Sequence, residues 1–191
     1  MCPGTSTSGG ISGHSSGTAL TNAIAIRKLQ RDGRIERAAV IDLDVHQGNG
    51  THAVFAGDER VFTFSMHGGR NYPFRKVAGD LDIELDDGTG DDEYLRLLSD
   101  ALPKVLSRAR PDLVVYLAGA DPHHLDRLGR LALSPGGLAR RDAMVIEQCR
   151  EVGIPVAVTI AGGYGDPLSA TVEAHVTTVG IAARAAAGAA V

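Results

Sequence analysis

The sequence lacks most of the features that mark secreted, membrane or nucleic-acid-binding proteins. Two cysteines among 191 residues form no disulfide framework, so disulfide bonds are not expected. No apolar run approaches the roughly 20 residues that a membrane-spanning helix needs. The formal net charge of -4 provides no basic patch, which argues against a nucleic-acid partner. The first residues hold no charged segment followed by an apolar one, so we expect no secretory signal and a reducing cytoplasm.

The rest of the composition is ordinary for one globular domain. Apolar residues make up 43% and charged residues 22% of the chain, which is long enough to bury a sizeable core. Residues 1–17 are rich in Gly, Ser and Thr, and this composition predicts a flexible arm. Because there is no internal repeat or linker, we predict a single domain over residues 18–191.

Short apolar runs alternate with helical patterns along this domain. Strands are predicted at residues 38–44, 61–65, 80–85, 112–118 and 154–161, with 80–85 as an edge strand because polar and apolar residues alternate in it. Helices are predicted between them, at residues 19–30, 51–56, 91–109, 134–152 and 168–187. This alternation predicts a layered α/β fold with a parallel sheet, which binds ligands beyond the carboxyl ends of its strands.

Acidic, imidazole and phenol side chains follow the ends of three predicted strands. Asp44 and His46 are two residues apart at the end of the first strand, so they point to the same side. Asp121 lies just past the strand at 112–118, and Tyr164 follows the last strand. Two carboxylates and one imidazole suit a catalytic zinc that keeps one position open for water.

Each of these residues also has an interpretation without a metal. Asp44 and His46 alone would more often cap a turn than bind an ion. Asp42 would satisfy backbone donors at a strand end, and Tyr164 would pack against its neighbours. The placement of Asp44, His46, Asp121 and Tyr164 at neighbouring strand ends favours the metal interpretation over the others.

On these motifs the chain resembles the zinc-dependent histone deacetylase family, and its class IV and bacterial members most. The matching segments are Asp42-Leu43-Asp44-Val45-His46-Gln47-Gly48-Asn49-Gly50, Asp91-Asp92-Glu93-Tyr94-Leu95, Ala118-Gly119-Ala120-Asp121, Asp126-Arg127-Leu128-Gly129 and Gly162-Gly163-Tyr164. They follow the family's order over roughly residues 36–187. The resemblance implies the arginase/deacetylase fold, a three-layer parallel sheet with helices on both faces, here without the family's first strands.

The resemblance also implies a chemistry and a role for each matching residue. It implies zinc-dependent hydrolysis of the amide of acetylated lysine in a protein, or of a small acylated amine. The implied zinc ligands are Asp44, His46 and Asp121. Tyr164 is the implied phenol that polarises the scissile carbonyl, and Asp42 the carboxylate that orients a catalytic histidine.

Further residues match the substrate tunnel and a second ion of the family. Tyr72 resembles the aromatic wall that grips the acyl-lysine stem, and Gly162 and Gly163 let the backbone approach the ligand. The family also holds a structural potassium ion, for which the equivalent groups here include Ser65 and Met66.

One family motif has no counterpart in this chain. The family places a histidine pair upstream, in a Gly-Gly-x-His-His context, as general base and acid. Here Gly9-Gly10 is followed by a single histidine, His14. The pair His123-His124 follows Asp121 and therefore comes in the wrong order. Thr18 stands where the family has an aromatic tunnel wall.

Three hypotheses remain open at this point. The first is a deacetylase with impaired activity, since losing a general base costs about 10²–10⁴-fold in rate. The second is a fragment or non-catalytic remnant that binds zinc or acyl-lysine. The third, an arginase-like dimetal hydrolase, needs an acidic residue two positions after His46, and Gly48 stands there.

Overall fold

The computed structural model describes residues 15–188, with side chains from Thr18 onward. His14 and most of the arm predicted over residues 1–17 lie outside the described residues. The elements alternate as predicted and run α1 Ser15–Arg31, β1 Ala38–Asp42, α2 Asn49–Phe55, β2 Val61–Gly68, β3 Leu81–Leu85, α3 Asp91–Ala109, β4 Leu113–Ala118, α4 Pro135–Glu151, β5 Val156–Ile160 and α5 Leu168–Ala186. Helix α1 begins at Ser15, ahead of its predicted start at residue 19.

The five strands form one parallel sheet in the order β3-β2-β1-β4-β5. Strands β1 and β2 are buried along their whole length, which explains their nearly continuous apolar sequence. The register places Asp42 at the end of β1 between Ser65 of β2 and Leu117 of β4. The segments that follow β1 and β4 therefore leave the sheet side by side.

Alternate residues of β1 pack into two separate cores, which confirms a three-layer fold with helices on both faces. Ala39 and Ile41 belong to the core that α3 and α4 cover. Ala38 and Val40 face the opposite core, which is covered by Ala23 and Ile26 of α1 and by Phe55 of α2. A one-residue shift in register would exchange these two faces.

The starts of α3 and α4 are tied to each other by Asp91. Ser134 caps α4 by accepting a hydrogen bond from Gly137 N at 2.9 Å, and its hydroxyl donates to Asp91 Oδ2 at 2.6 Å. Ser134 N also donates to Asp91 Oδ1, at 2.8 Å. The acidic run at the start of α3 thus fixes α4 through its first member, while Asp92 stays exposed.

Strands β3 and β5 are the two edges of the described sheet. Strand β3 is an edge, as its alternating sequence predicts. Strand β5 is the other edge of the described sheet, and Ile160 at its end is 55% exposed. Among the described residues, no helix is long and apolar enough to span a membrane.

Candidate metal centre

Asp44, His46 and Asp121 meet at the carboxyl edge of the sheet. One ligand atom from each lies within 4.8 Å of the others. The cause is topological, because β1 and β4 are neighbours and the three residues follow their ends. Asp121 is fully buried, and Asp44 is 8% exposed. The group predicted from strand-end positions is therefore brought together by the fold.

Hydrogen bonds orient each member of this group. His46 Nδ1 lies 2.9 Å from Asp44 Oδ1 and 3.2 Å from Asp121 Oδ2. Val45 N donates to Asp121 Oδ1 at 2.8 Å, and Gly162 N donates to Asp44 Oδ2 at 2.6 Å. Backbone donors therefore hold the far sides of both carboxylates, while an imidazole nitrogen faces their near sides.

The three groups shift one another's pKa values. Burial, together with the charge of Asp44, raises the pKa of Asp121 to about 7. Burial disfavours the charged form of His46, but the hydrogen bonds that it donates to Asp121 and Asp44 outweigh burial and raise its pKa to about 10. Burial opposes ionisation of Asp44 as well, yet its hydrogen bonds with His46 lower its pKa. A cation between the three groups would offset the negative charges of the two carboxylates.

Asp42 lies next to this group and is buried. Its Oδ1 accepts a hydrogen bond from Asp44 N at 3.1 Å. Burial and the nearby charge of Asp44 raise the pKa of Asp42 well above its ordinary value. A protonated Asp42 is able to donate a hydrogen bond as well as accept one.

Two glycines allow the backbone to approach the carboxylates closely. A Cβ on Gly162 would lie 2.0 Å from Asp121 Oδ2 and 2.7 Å from Asp44 Oδ2. A Cβ on Gly119 would lie 2.8 Å from Asp121 Oδ1. Neither position has room for a side chain, so the glycine cradle is shaped around the ligand group.

The substitution Gly162→Ala tests this cradle. The added methyl should displace the buried carboxylates and lower the free energy of unfolding by about 1–3 kcal/mol, as overpacking does. Gly136→Ala is the matched control, because its Cβ would meet Ser134 Oγ at an ordinary 3.6 Å. Denaturant unfolding of both variants measures the effect. Equal stabilities for the two would contradict a steric role for Gly162.

Tyr164 faces the group, and Asp126 holds its backbone. The Tyr164 ring lies edge-on to the His46 imidazole, with 6.5 Å between centroids. Asp126 Oδ2 accepts a hydrogen bond from Tyr164 N at 2.6 Å, and its Oδ1 accepts from Leu128 N and Gly129 N at 2.8 and 2.7 Å. Sequence analysis matched Asp126 to a family motif but gave it no role. Asp126 lies in a loop, and its place in the sequence gave no indication that it would contact Tyr164.

A cavity of about 510 Å³ opens above the group and is lined by Asp42, Asp44, His46 and Tyr164. Tyr72 forms part of its wall and is 40% exposed. Thr18 of α1 also lines the cavity. The wall is completed by apolar side chains that include Leu128 and Ile160.

The remaining residues that the sequence singled out, Gly162, Gly163, Ser65 and Met66, do not all line the cavity. Gly162 lines the cavity, whereas Gly163 packs away from it, with Thr171 Cγ2 only 2.5 Å from the position of an added Cβ. Ser65 and Met66 are fully buried on β2. Ser65 Oγ contacts His67 Nδ1 at 3.0 Å.

Comparison with known proteins places this arrangement in a family. The family model described as the histone deacetylase domain matches residues 12–179. An uncharacterised protein of Picosynechococcus sp. is 46% identical over 165 residues, which cover 85% of this chain and 55% of that protein. Histone deacetylase 2 of Arabidopsis thaliana is 42% identical over 134 residues, covering 69% of this chain and 35% of the plant protein.

A solved structure with the same fold extends this comparison. The acetylpolyamine aminohydrolase from Burkholderia pseudomallei superposes with a TM-score of 0.69 and 26% identity. The superposition covers 83% of this chain and 48% of that enzyme. The matched region thus spans between 35% and 55% of the length of these three proteins.

Proposed function

The chain belongs to the histone deacetylase family, and we propose on this basis that it is a zinc-dependent amidohydrolase for acyl-lysine or a small acylated amine. One observation carries the proposal. Asp44, His46 and Tyr164 line one cavity, and Asp121 lies directly behind it, with one oxygen within 4.8 Å of the other two candidate ligand atoms. The names of the relatives supply the two substrate classes, acetylated lysine of histones and acetylated polyamine.

The donor set suits zinc. Two carboxylates and one imidazole are ligands that zinc accepts, and three protein ligands would leave a further position for water. The close approach of Gly162 to both carboxylates leaves no side chain in the way of an ion. Zinc held by Asp44, His46 and Asp121 would polarise an amide carbonyl and lower the pKa of water towards ~7.

Tyr164 is the residue that we assign to the carbonyl oxygen. Burial and the charges of Asp121 and Asp44 raise the pKa of its phenol, so the hydroxyl keeps its proton at neutral pH. A retained O–H is able to donate a hydrogen bond to the oxygen on which negative charge develops during amide hydrolysis. Asp126 supports this role by fixing the Tyr164 backbone.

The remaining walls suit an acylated amine with a slender stem. The Tyr72 ring and apolar side chains would pack against methylene groups, while the polar floor would receive the acyl carbonyl. Gly162 lines this floor. We assign Gly163 an indirect role, in which the absence of a side chain lets the loop pack against Thr171. We keep Ser65 and Met66 as the proposed contacts of a structural potassium ion.

A second function, binding without turnover, is favoured by one observation. Asp42 is the residue expected to orient a catalytic histidine, yet its carboxylate accepts a hydrogen bond from Asp44 N. Within residues 15–188, no histidine is hydrogen-bonded to it. The exposed His124 and its neighbour His123 lie on a different loop, where His124 Nδ1 contacts Leu133 O at 3.1 Å.

Withdrawal and return of zinc test the proposed reaction. The zinc-loaded chain should release acetate from an acetyl-lysine peptide or an acetylated diamine, and a chelator should stop the release until zinc is restored. We expect a rate about 10²–10⁴-fold below that of an enzyme with a complete histidine pair, because a general base contributes that much. A substrate with an isotopically labelled acetyl group makes the released acetate detectable at such low rates.

The same assay separates the two functions. Binding of the acetylated peptide to the zinc-loaded chain without acetate release would support the second function. Acetate release that continues at full rate after zinc removal would contradict a metal-dependent reaction. Failure to bind or hydrolyse either compound with zinc present would exclude both.

A further inference from the structure

A buried arginine beneath the metal centre has no part in the chemistry described above. Arg141 lies on α4 and is only 1% exposed. Arginine is almost never fully buried unless its guanidinium is paired and hydrogen-bonded, because an unpaired buried charge is very costly. Its partners therefore indicate what it is there to hold.

One arm of Arg141 joins the two segments that carry the carboxylate ligands. Arg141 Nη1 donates to the carbonyl oxygen of Leu43 at 3.2 Å and to that of Gly119 at 2.7 Å. Leu43 immediately precedes Asp44, and Gly119 comes two residues before Asp121. A single nitrogen thus bridges the ends of β1 and β4.

This bridge stands where the sheet stops joining the two segments. Leu43 N donates to Leu117 O at 3.1 Å, just beyond the last paired residues of β1 and β4. Past that point no backbone hydrogen bond joins the two segments among the described residues, although Gly119 still packs against Asp44. Val45 N still reaches across to Asp121, but only through a ligand's own side chain. Arg141 supplies the crosslink between main chains that the ladder no longer provides.

The other side of the guanidinium is anchored by Asp142. Arg141 Nε and Nη2 lie 2.8 and 2.7 Å from Asp142 Oδ1. The same carboxylate accepts hydrogen bonds from Tyr116 OH of β4 and Thr178 Oγ1 of α5, both at 2.5 Å. The ion pair is therefore neutral as a unit and fixed to three elements of the fold.

We propose that Arg141 is a positioning residue of the metal centre, whose guanidinium holds the loops of Asp44 and Asp121 at the separation that a shared ion requires. The inference rests on the proposed function, since it assumes that these residues bind zinc. The physical need is clear, because two buried carboxylates repel each other before an ion arrives. Lysine cannot replace the planar fork, which faces Asp142 and the two carbonyls at once.

The test compares zinc affinity with folding stability in full-length variants. For Arg141→Lys, chelator competition should show zinc binding 10–100-fold weaker than in the wild type, the usual effect of losing a group that orients metal ligands. The visible spectrum of the cobalt(II)-loaded variant should also change, since it reports the arrangement of the ligands. Thr178→Val is the matched control, because it removes a hydrogen bond to Asp142 and leaves the carbonyl contacts intact.

A second variant covers the case in which Arg141→Lys fails to fold. Replacing both members of a buried ion pair leaves no unpaired charge, so the double variant Arg141→Met, Asp142→Asn should fold, because the asparagine still offers an acceptor to Tyr116 and Thr178. It lacks the bridge and should show the same weakened zinc binding. Its thermal unfolding without metal reports stability separately from affinity.

The outcomes distinguish this inference from the proposed function. Weak zinc binding in the Arg141 variants, with Thr178→Val within a few-fold of the wild type, would support positioning. Wild-type affinity in either folded Arg141 variant would overturn it, as would an equal loss in Thr178→Val. A wild-type chain that binds no zinc would overturn the proposed function first, and the inference with it.

Discussion

Replacing Asp121 with asparagine is expected to abolish zinc binding and leave the chain folded. The wild type should bind about one zinc per chain, as three protein ligands and an open position predict. The variant exchanges a charged ligand for a neutral amide, whose oxygen is still able to accept the hydrogen bond from Val45 N. It also removes a carboxyl group that burial and Asp44 keep from ionising easily. Metal analysis of purified protein measures the loss.

Thermal unfolding gives an independent measure of the same prediction. Zinc at 100 times its dissociation constant should stabilise the wild type by about 2.7 kcal/mol, because it binds only the folded chain. Asp121→Asn should show no such gain. Asp92→Asn is the control, since it removes a charge of the same kind from an exposed position at the start of α3. Zinc retained by Asp121→Asn would mean that Asp121 is not a ligand.

Replacing Tyr164 with phenylalanine is expected to lower kcat by about 10²–10³-fold, the effect of deleting one donor to a developing oxyanion. The ring remains, so its edge contact with His46 and the cavity wall should persist. Zinc stoichiometry and KM should therefore change little. Steady-state kinetics with labelled acetyl substrate checks this separation of effects.

The result for Tyr164 also tests how the site works. A fall in kcat at constant zinc content would match a donor that acts in the transition state. A rise in KM with unchanged kcat would instead assign Tyr164 to substrate binding. Unchanged values for both would remove the phenol from the proposed reaction.

The glycines of the final loop illustrate how far sequence patterns reach. Gly162 and Gly163 were predicted together as points where the backbone approaches the ligand. In the fold, Gly162 meets the carboxylates of Asp44 and Asp121, whereas Gly163 packs against Thr171 of α5. Adjacent residues point in different directions, and only the packing of α5 decides which of them faces the site.

The fold class and the meeting of Asp44, His46 and Asp121 could be predicted from the sequence alone. Apolar runs that alternate with helical patterns were enough to predict a parallel layered sheet, because they reflect local periodicity. The spacing of Asp44 and His46 and the position of Asp121 past a strand end predicted their meeting, because parallel strands end at one edge. These signals are carried by neighbours in the chain.

The tertiary structure alone decided which residues support that group. Arg141 lies 98 residues from Leu43 and 22 from Gly119, and the two carbonyls that it joins leave no mark in the sequence. Asp126 reaches Tyr164 across 38 residues in the same way. Backbone acceptors and donors look alike at every position, so their pairing is known only once the strands and helices have packed.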